Sequence, residues 1–175
     1  MIINKSYKLE PIEKSIVEMV ARARQKNKEL TGINGAGTVA KDSKHLYRNI
    51  IGFGAEFIFC KYNNIHVDFS IKNTSKKKGT DKYDAYWKNM TIDVKVTEKD
   101  LPLMTPEYSK TDVDGFAFFH CKYPRFTFKG FATNSQLFQK KNIKKVVVDS
   151  YVLELENLLS KEQFLFLTKL NKHDK

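Results

Sequence analysis

Two acids and a lysine stand close together in the stretch Lys82 to Val96, KYDAYWKNMTIDVKV. Read as two strands joined by a two-residue turn at Lys88-Asn89, it pairs Trp87 with Met90, Tyr86 with Thr91, Ala85 with Ile92 and Asp84 with Asp93. Strand side chains alternate between faces, so Tyr83, Ala85, Trp87, Met90, Ile92, Val94 and Val96 share one face, and Asp84, Asp93 and Lys95 the other. Like charges opposed across a ladder destabilise it by roughly 0.2–1 kcal/mol, and by more where the face is covered. A divalent cation between the carboxylates would turn that repulsion into chelation. Mg²⁺ takes oxygen ligands and completes its octahedron with waters and phosphate oxygens. Lys95 would sit beside that metal, where an ammonium can hold a water or hydroxide and offset charge building on phosphorus. The plainer reading is that Asp-x-Lys on an alternating strand arises often by chance, and that an exposed Asp/Lys face keeps a hairpin soluble. Lys-Asn is also not the favoured Asn-Gly turn, so a longer connection is the alternative.

Several elements must position these residues. Residues 10–29 place Pro11 near a first helical turn and repeat Ile12, Ile16, Met19, Val20 and Ala23 at helical spacing, predicting an amphipathic helix with a basic end. The glycine-bearing run LTGINGAGTVAKDSKH has no period and reads as a loop; its glycines do not follow a strand as a phosphate-binding loop requires. A second helix is expected from His45 to Tyr62, with Ile51, Ala55, Ile58, Phe59 and Tyr62 on one side. It carries Glu56 among Phe53, Phe57 and Phe59, with Gly52 and Cys60 one turn away as small residues that let another element approach. An acid amid phenylalanines needs a partner. IHVDFSI at 65–71 alternates as a strand, whereas Pro102 and Pro106 discourage regular structure in the segment after Val96. Strands are expected at 115–123 and 125–133, a short helix at 134–141, a strand around Val146–Val148 and a helix from Lys161 to Leu170. The order predicts a single α/β domain over 1–175: the helix at about 10–29, a core at about 45–135, and a C-terminal strand and helix at about 143–170.

Composition narrows the function classes. The 175 residues are 41% apolar and 13% aromatic, enough for one ordinary core. With 31 basic against 20 acidic side chains the formal charge is +11, which favours a polyanionic partner. Cys60 and Cys121 lie in apolar runs and imply no disulfide framework, which suits a reducing, intracellular (cytoplasmic) setting. No apolar run approaches the roughly 20 residues that span a bilayer, so no membrane association is expected. His120, inside FAFFHC, reads as a hydrogen-bonded core or sheet-face histidine.

Together these residues resemble the PD-(D/E)XK nuclease superfamily, whose pattern is an acid near the end of one strand, acid-x-Lys on the next, and often a glutamate from a preceding helix. Asp84, the run IDVK with Asp93 and Lys95, and Glu56 within GFGAEF match in order and spacing, over roughly residues 45–135. VDGFAFF and FKGFAT look like the sheet strands that follow the core motif in some members. Tyr83 replaces the proline that often precedes the first acid. Asp81 competes with Asp84 for that acid's role, and the two-residue turn favours Asp84 because it sets it beside Asp93. The resemblance implies a restriction-endonuclease-like central mixed β-sheet flanked by α-helices and Mg²⁺-dependent (or Mn²⁺-dependent) hydrolysis of phosphodiester bonds, most often in DNA. It implies that Asp84, Asp93 and the backbone carbonyl of Val94 ligate the metal. Glu56 would bind it directly or through water, or orient the nucleophile, and Lys95 would position the attacking water. Many relatives cut both strands as dimers, so a homodimer is one arrangement it raises.

Lys76, Lys77 and Lys78 precede Asp84 by a few residues, within reach of phosphates flanking a scissile bond. Arg22, Arg24, Lys26 and Lys28, and Lys140, Lys141, Lys144 and Lys145, are further candidates for backbone contacts, though a charge run is also simply a solvated surface. Against the endonuclease stand two other classes: a basic nucleic-acid-binding or interaction protein that keeps the fold without cleaving, and a structural domain of a larger assembly.

Overall fold

The computed structural model of the protein describes residues 1–30, 42–71 and 83–173. The glycine-bearing loop lies mostly outside the described residues, as do Lys76, Lys77, Lys78 and Asp81. In chain order the elements are β1 (Ser6–Lys8), α1 (Pro11–Leu30), α2 (Asp42–Asn63), β2 (Ala85–Trp87), β3 (Met90–Thr97), β4 (Leu103–Pro106), β5 (Gly115–Lys122), β6 (Arg125–Thr133), α3 (Asn134–Leu137), β7 (Ile143–Lys145), β8 (Asp149–Leu153) and α4 (Lys161–His173). A five-stranded sheet in the order β1-β6-β5-β3-β2 is mixed, because β3 and β5 run parallel while its other neighbours are antiparallel. A three-stranded antiparallel sheet has the order β4-β8-β7. The chain is thus mixed α/β, with a curled mixed sheet flanked by helices.

Alternation along β5 sets up the two sides of the main sheet. Ala117, Phe119 and Cys121 join Val17, Ala21, Phe53, Ile58, Phe59, Ile92 and Val94 in one core, which α1, α2 and α4 cover. Phe116 and Phe118 join Leu103, Leu137, Tyr151 and Leu153 in a second core, covered by the small sheet and α3. The second sheet is a layer the sequence pattern did not announce. On β6 the register slips between Phe118 and Phe119, which pair with Gly130 and Phe128, so Lys129 is the extra residue of a bulge. The slip brings Phe128 and Phe131, three residues apart, into the same core. Gly130 sits at φ 140°, and a Cβ there would lie 2.8 Å from Leu158 Cβ and 3.1 Å from the Leu159 carbonyl oxygen, so the bulge needs glycine. Phe131 then stacks between Trp87 (5.5 Å between centroids) and Phe164 of α4 (4.7 Å). Trp87 and Phe131 belong to strands separated by β3 and β5, three strand spacings or roughly 14 Å in a flat sheet, so their contact reflects the curl.

The helices start where local chemistry says they should. Pro11 opens α1, and Glu13 turns back to accept the Glu10 N–H at 2.9 Å. Ser160 and Gln163 form a reciprocal capping box before α4, each side chain accepting the other's N–H, at 3.2 and 2.8 Å. The buried stripe of α1 is Val17, Val20 and Ala21, with Arg24 half-buried in line with it, rotated from the expected one; Ile12 and Met19 are exposed. On α2 the expected Ile51, Ala55, Ile58 and Phe59 are buried, while Tyr62 is partly exposed with its ring against Tyr7, 4.4 Å between centroids. The close approach is at Gly54, where a Cβ would meet Phe126 at 2.6 Å, and not at Gly52.

Three strand expectations need correction. Residues 65–71 are not a strand; alternation alone cannot make one without a neighbouring edge to pair with. Val146–Val148 form the turn between β7 and β8 rather than a strand. Leu103–Pro106, expected to be irregular, forms β4, with its prolines at or just before the ends of a sheet-edge strand where a missing N–H is tolerated.

Candidate active site

The β2–β3 hairpin forms as the sequence reading requires. Lys88 and Asn89 both take positive φ, 51° and 61°, the two-residue turn whose twist matches the flanking strands. Ala85 pairs with Ile92, Tyr86 with Thr91 and Trp87 with Met90. The ladder ends at Ala85: the Asp84 N–H turns in to the Ile92 carbonyl at 2.9 Å, so the expected Asp84–Asp93 pair is not part of the register. The apolar face is buried, with Ala85, Trp87, Met90, Ile92 and Val94 in the helix-covered core. Asp93 and Lys95 register with Phe116 and Phe118, placing them on the side that carries the small sheet. The far end of the hairpin is clasped to β5: Asp114 Oδ2 accepts both the Thr91 N–H at 2.8 Å and its hydroxyl at 2.9 Å.

The carboxyl of Asp84 accepts the Val94 N–H at 2.7 Å. Lys95 Nζ lies 2.8 Å from Asp93 Oδ1, and Asp93 is buried. Glu56, on α2, acts on these acids through its charge. Burial pushes Asp84 up to about 8, and the charges of Glu56 and Asp93 push the same way, against the Val94 N–H. Burial likewise raises Glu56, with Arg24 opposing and Asp93 and Asp68 adding. The negative field extends to Cys60, whose thiol is pushed up to about 12 by burial and then by Glu56 and Asp84. Of the sequence-derived site residues, Asp84 and the Val94 backbone, and Asp93 and Lys95, are in direct contact, while Glu56 is linked to the acids only through its charge. Lys76, Lys77 and Lys78 lie outside the described residues.

Arg24, one of the candidates for phosphate-backbone contacts, is engaged within the chain. Its Nη1 donates to Glu56 Oε2 at 3.2 Å, its Nη2 to the Asp68 carbonyl at 2.7 Å and its Nε to the Ser70 carbonyl at 3.4 Å. Its guanidinium covers the Phe53 ring at 4.5 Å. Two sequence signals pointed this way: an arginine in phase with Val17, Val20 and Ala21, and an acid amid phenylalanines with no local partner. His120 behaves as the sequence reading has it, bonded through Nε2 to the Leu101 carbonyl at 2.9 Å with its ring edge against Phe118. Cys60 and Cys121 are buried and not disulfide-bonded.

The donor set suits a hard divalent cation in part. Three mutually repelling carboxyl groups face two cations, Arg24 and Lys95, and all donors are oxygens, as Mg²⁺ or Mn²⁺ prefers. Among the described residues no group of three or more His, Cys, Asp or Glu side chains is placed to hold a metal ion, so protein ligands to Mg²⁺ would be few and waters and phosphate oxygens would fill most of its shell. Among the described residues, no helix is long and apolar enough to cross a membrane. Comparison with protein-family models, curated proteins and solved structures finds no match.

Proposed function

We propose that the protein is a metal-dependent endonuclease that hydrolyses phosphodiester bonds in DNA on a restriction-endonuclease-like fold of the PD-(D/E)XK kind. What carries the reading is the placing of Asp84 and of the Asp93–Lys95 pair on one hairpin, with Asp84 and Glu56 both raised by burial first and by neighbouring acids after it. Asp84, Asp93, the Val94 carbonyl and, directly or through water, Glu56 would hold Mg²⁺ or Mn²⁺, which supplies Lewis acidity at the phosphoryl oxygens. Lys95, fixed by Asp93, holds the attacking water and donates to the charge that develops on phosphorus. The surplus of basic residues supports contacts to the phosphate backbone. An intracellular location and a homodimer that cuts both strands belong to the same proposal.

The test is incubation with supercoiled, linear and branched DNA, with and without Mg²⁺ or Mn²⁺, alongside Asp93→Ala and Lys95→Ala. Metal-dependent cleavage by the parent, lost in both variants, is the expected result. Binding without cleavage under every metal would leave the second reading, a non-catalytic nucleic-acid-binding or interaction protein. One observation favours that reading: Glu56 and Asp93 already have cationic partners within the chain, Arg24 at 3.2 Å and Lys95 at 2.8 Å.

A further inference from the structure

Lys145 pairs with Asp149, so the turn between β7 and β8 consists of Val146, Val147 and Val148. Tight hairpin turns draw on glycine, asparagine and aspartate, which reach left-handed backbone conformations or bond to nearby backbone; valine does neither. Nor do these valines pack, with relative exposures of 54%, 91% and 43%. Three consecutive exposed apolar residues therefore have neither a turn-forming nor a packing reason within the described chain, and such a run marks a surface made to be covered.

What surrounds the run says by what. Residues 140–148 hold four lysines and no acid. Lys144 is ion-paired with Glu154 at 2.7 Å, while Lys140, Lys141 and Lys145 are exposed. β7 is the outer strand of its sheet, and that sheet covers the side of the main sheet on which Asp93 and Lys95 project. A lysine-rich rim selects a polyanion, a two-stranded ribbon fits a DNA groove, and apolar side chains at such tips wedge against base steps.

The geometry points to the β7–β8 hairpin as an arm that enters a groove of duplex DNA, Val147 leading and Lys140, Lys141 and Lys145 on the flanking phosphates. The choice of DNA rests on the function proposed above, but the arm does not depend on cleavage.

The experiment titrates the full chain into a short labelled duplex in EDTA, with 2-aminopurine placed to report unstacking. Val147→Ser and Val147→Asp are expected to weaken binding about 5- to 20-fold and abolish the unstacking signal, with the salt slope kept. Lys140→Ala, Lys141→Ala and Lys145→Ala together should instead reduce the slope of log K against log salt by about 2–3. Circular dichroism establishes that each variant is folded. Parent-like binding by both folded Val147 variants overturns the arm. So does duplex binding untouched while Val147→Asp abolishes self-association, or adhesion to phosphatidylserine vesicles, because the valines would then serve another partner. Valine-dependent duplex binding by a parent that cleaves under no metal would sustain the arm and remove the nuclease; cleavage with valine-independent binding would do the reverse.

Discussion

Asp84 Oδ2 accepts the Val94 N–H at 2.7 Å, which holds its carboxyl against the backbone next to Asp93. Burial, and after it the charges of Glu56 and Asp93, hold a proton on Asp84, whose ionisation rises to about 8. An unfolded chain would release that proton near the ordinary value of 3.8. The folded state therefore binds more protons between those limits. The contribution to stability is complete below the lower limit and is lost as pH rises toward the upper one.

Denaturant melts should accordingly show stability falling from about pH 4 to about pH 8, by a few kcal/mol at most. Asp84→Asn, which keeps an acceptor for the Val94 N–H, should flatten that dependence. Mg²⁺ should restore stability at pH 8 in the parent and much less in the variant. A parent curve that rises across this interval would contradict the buried proton.

Asp93→Ala and Lys95→Ala should each lower metal-dependent cleavage by about 100-fold or more, since the first removes a metal ligand and the second the cation aimed at developing charge. Duplex binding in EDTA should change far less. Single-turnover cleavage beside equilibrium binding separates the two effects.

Arg24→Ala should destabilise the fold by about 2 kcal/mol, because it strips Glu56 of its counter-ion and releases the Asp68 and Ser70 carbonyls. Urea melts measure the loss, and limited proteolysis should show cutting within residues 64–71. Arg24→Lys should recover only part of it, since an ammonium cannot span three acceptors in one plane.

Gly130→Ala should cost about 2–3 kcal/mol, as it combines an unfavourable φ with a Cβ pressed against Leu158. Thermal melting checks this; a neutral substitution would mean that the β6 bulge relaxes freely.

The hairpin was legible because period-two alternation fixes faces, and a two-residue turn leaves one register. Asp84, Asp93 and Lys95 came with it. Longer-range facts were not legible. β1 and β7 are three residues each, too short for a pattern to stand out, and β4 is only four. The bulge at Lys129 depends on how β6 meets β5 and on Leu158 behind it. The partner of Glu56 sits on a different helix, 32 residues away. At Val146–Val148 strand propensity pointed the wrong way because nothing in the described chain covers those side chains.

The stack of Trp87, Phe131 and Phe164 has a practical consequence, because Trp87 is the chain's only tryptophan. Its indole lies three residues from Asp84 and is sandwiched toward α4, with Lys161 Nζ 5.6 Å from its ring. Tryptophan emission, excited apart from the tyrosines, therefore reads one place alone, the seam between the acid-bearing hairpin and the C-terminal helix. A red shift that precedes loss of far-ultraviolet ellipticity would reveal that seam parting while the sheets still stand.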